Sequence, residues 1–122
     1  MVSIILATAP IHGHVSAYLP IARHLVARGD RVRFVTGSRF AEAVAATGAT
    51  HVALPPESDF DDRMDVNSTY PERRSLRGAA AIAFDVETFF VRPGRGQYDT
   101  LTRAIATEPA QVVVADPTFI GA

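Results

Sequence analysis

Val2-Ser-Ile-Ile-Leu-Ala-Thr8, followed by Ala9-Pro-Ile-His-Gly-His-Val15, is the stretch on which the fold turns. The first run is apolar without alternation, the mark of a strand covered by helices on both faces. The second opens a helical period. From Val15 to Arg28, Leu19, Ala22, Leu25 and Val26 recur at three and four and form one stripe for burial. Gly29 then ends the helix in the left-handed region, where a missing Cβ removes the steric cost. Further strands are predicted at Arg31-Val-Arg-Phe-Val-Thr36, Thr50-His-Val-Ala-Leu54 and Ala110-Gln-Val-Val-Val-Ala115. Between the second and third, Ser38 to Thr47 reads as a helix with Ser38 as cap, Phe40 and Val44 inward and Gly48 as terminator.

Strand, helix, strand, helix, strand with short joints is a βαβαβ unit, so the sheet is expected to be parallel. Right-handed crossovers then predict a Rossmann-like, doubly wound α/β sheet with strand order 3-2-1-4. The remainder of the chain is less regular. Pro55 to Tyr70, with Asp59, Asp61, Asp62 and Asp65, reads as a long exposed loop. Glu72 to Phe90 is predicted helical with Leu76, Ala80, Ala83 and Phe84 inside. Arg92-Pro-Gly-Arg-Gly96 is expected to break it, and Gln97 to Thr107 to resume with Leu101, Ala104 and Ile105 apolar.

Composition narrows the chemistry. The 122 residues are 48% hydrophobic and 20% charged, ordinary for one globular domain. A net charge of −1 provides no basic footprint for nucleic acid. Cysteine is absent, so disulfides and thiol nucleophiles are excluded. All 12 basic residues are Arg, which excludes Schiff-base chemistry and a phosphate-loop lysine. Val2 to Pro10 is too short for a membrane span and lacks a basic leader, so a cytoplasmic location is expected.

In an open parallel sheet, ligands bind beyond the carboxyl ends of the strands where strand order reverses. With order 3-2-1-4 that point lies between strands one and four. It brings His14, after strand one, beside Asp116 in Ala115-Asp-Pro117, after strand four. A carboxylate on one imidazole nitrogen leaves the other as a general base. Taken singly, a histidine at a helix start and an aspartate before proline each have ordinary structural uses. Gly13 lets the chain turn into a helix whose free amides face an anion. The dinucleotide fingerprint Gly-x-Gly-x-x-Gly is missing, and Gly94-Arg-Gly96 reads as a helix break. His12 and His14 lack further ligands for a metal, and the acidic run reads as a solvated loop. Phe84, Phe89 and Phe90 at helical spacing suit core packing, although Glu87-Thr-Phe-Phe-Val91 puts one ring on each side.

The run Thr8-Ala-Pro-Ile-His-Gly-His-Val-Ser-Ala-Tyr-Leu-Pro-Ile-Ala-Arg-His-Leu-Val-Ala-Arg-Gly29 resembles the opening of family 1 glycosyltransferases of the bacterial natural-product and macrolide type, which have the GT-B fold. Phe40-Ala-Glu42, Gly48-Ala-Thr-His-Val-Ala-Leu-Pro55 and Val112-Val-Val-Ala-Asp-Pro117 extend the likeness over nearly the whole chain. The resemblance implies inverting sugar transfer from a nucleotide-sugar such as UDP- or TDP-sugar, without cofactor or metal, to a hydroxyl of a small hydrophobic acceptor. It makes His14 the base, Asp116 its paired acid and Gly13 part of the turn near the donor diphosphate. Residues 56–98, with Phe84, Phe89 and Phe90, correspond to the acceptor-binding region. Ala17 stands where the family usually has Pro, and Asp30 where it usually has His.

The family's donor-binding C-terminal domain has no counterpart in residues 1–122, which match a partial N-terminal acceptor domain. The expectation is therefore a fragment inactive by itself, with an open sheet edge suited to homodimerisation. A non-catalytic Rossmann-like binding module is the alternative reading.

Overall fold

All four apolar runs form strands in the computed structural model, which describes residues 1–122: β1 (Ser3–Ala7), β2 (Arg31–Thr36), β3 (Thr50–Ala53) and β4 (Val112–Ala115). They pair in parallel in the predicted order β3-β2-β1-β4. Successive side chains of a strand point to opposite faces, and the core divides accordingly. Ile4 and Leu6 of β1 with Val32 and Phe34 of β2 meet Val15 and Ala22 of α1 (His12–Ala27) on one face. Ile5, Ala7 and Val35 meet Leu101 and Ala104 of the chain's last helix, together with Phe119, on the other. Complete burial of side chains such as Phe34, Ile5 and Leu6 contributes about 1.5–3 kcal/mol each.

The helix joints follow local chemistry. Gly29 and Gly48 adopt φ of +96° and +88°, so both terminators act as the sequence predicts. Asp30 after Gly29 accepts the Val2 amide at 2.9 Å, tying the α1–β2 turn to the start of β1. That amide and Arg28 hold its carboxyl below the usual range. Ser38 does not cap a helix. It begins a 3₁₀ turn (Ser38–Phe40) leading into the short α2 (Ala41–Ala45), and its hydroxyl donates to Asp59 at 2.6 Å instead.

The segment between β3 and β4 departs most from expectation. Within the acidic loop lies one helical turn, α3 (Val66–Thr69), capped by Asp65. The predicted single helix over Glu72–Phe90 is divided into a 3₁₀ turn (Pro71–Ser75), α4 (Gly78–Val86) and a π-helical turn (Glu87–Val91). Ala80 and Ala83, expected inside, are exposed, while Leu76 and Phe84 are half-buried. The reason is positional: α4 lies against the π-helical turn and not on the sheet. Arg73 fixes it by donating to both oxygens of Asp85, at 2.7 and 2.8 Å.

α5 (Gly94–Thr107) begins earlier than predicted, because Gly94 and Gly96 form its buried first turn and do not break it. A Cβ on Gly96 would stand 2.1 Å from Ser58 Oγ and 2.8 Å from Pro55 Cγ. Gly96 permits close contact between α5 and the loop after β3, and Gly94 between α5 and Ile120. Of the helix's apolar residues, Leu101 and Ala104 are buried, whereas Ile105 is 38% exposed.

Arg33 points from β2 into the α5 face and is 7% exposed. Its guanidinium donates to the carbonyls of Ala104 at 2.6 Å and Glu108 at 2.7 Å, closing the C-terminal end of α5. Replacing Arg33 with Met keeps an apolar stem and removes both bonds. Urea denaturation of Arg33→Met is expected to show a loss of about 2–3 kcal/mol, since hydrogen bonds from charged groups are the strong ones.

Candidate active site

β1 and β4 are direct neighbours in register, Ala7 opposite Ala115. Their carboxyl ends therefore finish side by side. The Asp116 amide extends the ladder by one bond, donating to the Ala7 carbonyl at 2.9 Å. β1 passes through Thr8–Pro10 to α1, and His14 lies on that helix's first turn. His14 Nδ1 and Asp116 Oδ2 are hydrogen-bonded, so the topology brings the two predicted residues together.

Asp116 is nearly enclosed, with its side chain 6% exposed, whereas His14 is 32% exposed. Buried carboxylates require partners, and Thr118 supplies two. Its hydroxyl donates to Asp116 Oδ2 at 2.8 Å and its backbone amide to Oδ1 at 3.2 Å. The same hydroxyl oxygen lies 3.3 Å from His14 Nδ1. An ionised carboxylate can only accept, so Nδ1 carries the imidazole proton and Nε2 keeps a free lone pair. That is the tautomer of a general base. One turn along α1, burial and the Asp116 charge push the Tyr18 phenol above its ordinary range.

Adjacent to the start of α1 is an apolar pocket of about 190 Å³ lined by Ile11, Phe60, Asp62, Met64, Val66, Phe89 and Phe90. Phe60 and Phe89 meet at 5.1 Å between ring centres. Phe89 and Phe90 thus stand in the wall. Phe84 does not; it packs edge-on against Tyr70 at 5.7 Å, and Tyr70 in turn touches Phe89 at 5.9 Å. Gly13 is the second residue of α1, exposed, with no atom within 4 Å of a would-be Cβ and no positive φ. It is open helix start and not a tight turn. His12 is exposed and contributes its backbone amide, which donates to Asp62 Oδ2 at 2.6 Å.

The acidic run is more organised than a solvated loop. Asp59 accepts from the amide and hydroxyl of Ser38, and Asp62 from the amide of His12. Arg63 draws the Asp61 carboxyl below its usual range, and the Ser68 hydroxyl does the same for Asp65. Sequence reasoning missed Thr118, Tyr18 and the Asp62 contact. The spacing Asp116-Pro-Thr118 is a side-chain-to-backbone turn signal that could have found the first.

No protein-family model matches the chain. It is 34% identical over 119 residues to 4'-demethylrebeccamycin synthase of Lentzea aerocolonigenes, a match covering 98% of this chain and 28% of that protein. It is 30% identical over 123 residues to UDP-glucosyltransferase B1 of Starmerella bombicola, covering 97% and 28%. The chain thus spans little more than a quarter of the length of these curated relatives. Among solved structures, the glycosyltransferase of kitacinnamycin aligns at a TM-score of 0.68 and 24% identity, over 98% of this chain and 26% of that one. The spinosyn rhamnosyltransferase SpnG, complexed with thymidine diphosphate, aligns at 0.64 and 16%, over 98% and 30%. The homologues of this chain are glycosyltransferases, those of natural-product pathways among them, and its four-stranded sheet has the Rossmann-like architecture of their GT-B fold.

Proposed function

We propose that residues 1–122 are the acceptor-side, N-terminal part of an inverting glycosyltransferase that acts on a small hydrophobic natural product. The observation that carries this reading is the His14–Asp116 hydrogen bond at the reversal of strand order, beside an apolar pocket. In this reading an acceptor rests against Phe89 and Phe90, with Phe84 backing them through Tyr70, and directs a hydroxyl to His14 Nε2. As the hydroxyl oxygen attacks the anomeric carbon, its proton passes to Nε2. The bond from that carbon to the nucleoside diphosphate breaks on the opposite face, inverting the configuration. Asp116 stabilises the imidazolium, and Thr118 keeps the carboxylate oriented. Gly13, bare on the first turn of α1, leaves room for the donor diphosphate near the helix amides. The donor, a UDP- or TDP-sugar, is held by a second domain of the kind the resemblance implies, and the reaction proceeds in the cytoplasm.

The test supplies a nucleotide-sugar-binding half, in the same polypeptide or in trans, and follows nucleoside diphosphate release. His14→Ala is expected to lower kcat by about 10²–10⁴-fold, the usual contribution of a general base. Asp116→Asn should act in the same direction and Thr118→Val more weakly. Full activity in His14→Ala would overturn the reading. Acceptor binding without transfer in the wild type would favour a non-catalytic binding module.

The open side of β4 supports self-association. Its Val112, Val113 and Val114 are 43%, 39% and 39% exposed, although they belong to a strand type normally covered on both faces. A homodimer joined through this edge should sediment as a dimer and dissociate when Val113→Lys places a charge there; a wild type that stays monomeric at high concentration would refute it.

A further inference from the structure

We infer that Asp62 is a positioning residue that sets the acceptor pocket at its working distance from His14; this rests on the acceptor reading of the pocket. Three contacts meet in its side chain. It forms part of the wall beside Phe60, Met64 and Val66. Its Oδ2 accepts the His12 amide at 2.6 Å, two residues before His14. Its Oδ1 stands 2.8 Å from Arg39 Nη1 as an ion pair, out of line for a hydrogen bond.

The first turn of α1 has no side-chain cap of its own. Ile11 stands in its N-cap position and has no side-chain oxygen to accept the free helix amides. Asp62, fifty residues away, supplies the missing acceptor. A negative charge at a helix N-terminus is also favoured by the helix dipole. The carboxylate is thereby a strut: it belongs to the loop after β3 and holds the first turn of α1, the helix that carries His14. A rise of about 1.5 Å per residue puts His14 only about 3 Å along the axis from the anchored amide. Arg39, itself stacked at 4.5 Å over Phe40, fixes the strut from the β2 side.

The experiment uses this chain and the phenolic fluorophore 4-methylumbelliferone as acceptor probe. Asp62→Ala is expected to weaken probe binding by about five- to tenfold, because an unanchored wall must be ordered on binding. Hydrogen exchange should show lost protection at the His12 amide while Ile5 and Val35 keep theirs. Asp62→Asn retains an oxygen for the His12 amide but not the charge facing Arg39, so its binding should fall between the two; it decides the matter if Asp62→Ala does not fold. Wild-type binding with unchanged affinity in the folded variants overturns the strut alone. A wild type that binds no probe overturns the acceptor reading of the pocket as well.

Discussion

The parallel pairing of β1 with β4 is the constraint on which the site depends. Chain direction reverses its course across the sheet at β1: α1 and α2 cover one face on the way to β3, and α5 covers the other on the way to β4. Both strands then end at the same level, Ala7 opposite Ala115, and both following segments must leave from one point. His14 and Asp116 are neighbours because of that register. A slip of β4 by one residue would turn every side chain of the strand to the opposite face and separate them.

Around this point the chain satisfies its own polar groups with partners both near and distant in sequence. Asp116 is buried, and its oxygens are answered by His14 and by the hydroxyl and amide of Thr118. Ile11 offers the start of α1 no acceptor, and the loop after β3 answers with Asp62. Arg33 does the same for the far end of α5. Each contact pairs a helix end or a buried charge with a protein partner. Of these contacts, the one from Asp62 to the His12 amide ties the irregular middle segment to α1.

That middle segment is where sequence and structure part. The strand positions were legible because β-branched runs bounded by Gly29, Gly48 and proline allow little else, and the order followed from handedness. Even the His14–Asp116 contact could be anticipated, since the strand order brings the ends of β1 and β4 side by side. The breaks in the predicted 72–90 helix could not. Ala80 and Ala83 have the spacing of an inward stripe, but no sheet lies beneath α4 to receive it. Gly94 and Gly96 read as a break for a similar reason: the contacts that require them, with Ile120 and Ser58, come from remote parts of the chain.

Local pattern in the sequence determined the four strands, the two glycine-terminated joints, the parallel order and the pair of residues at its reversal, because each depends on short-range sterics or on the handedness of crossovers. Tertiary structure alone decided that Asp62 accepts from the start of α1, and that Phe89 and Phe90 line the pocket while Phe84 stands behind Tyr70. Those outcomes depend on which surfaces meet across the fold, and spacing along the chain contains no record of distance through space.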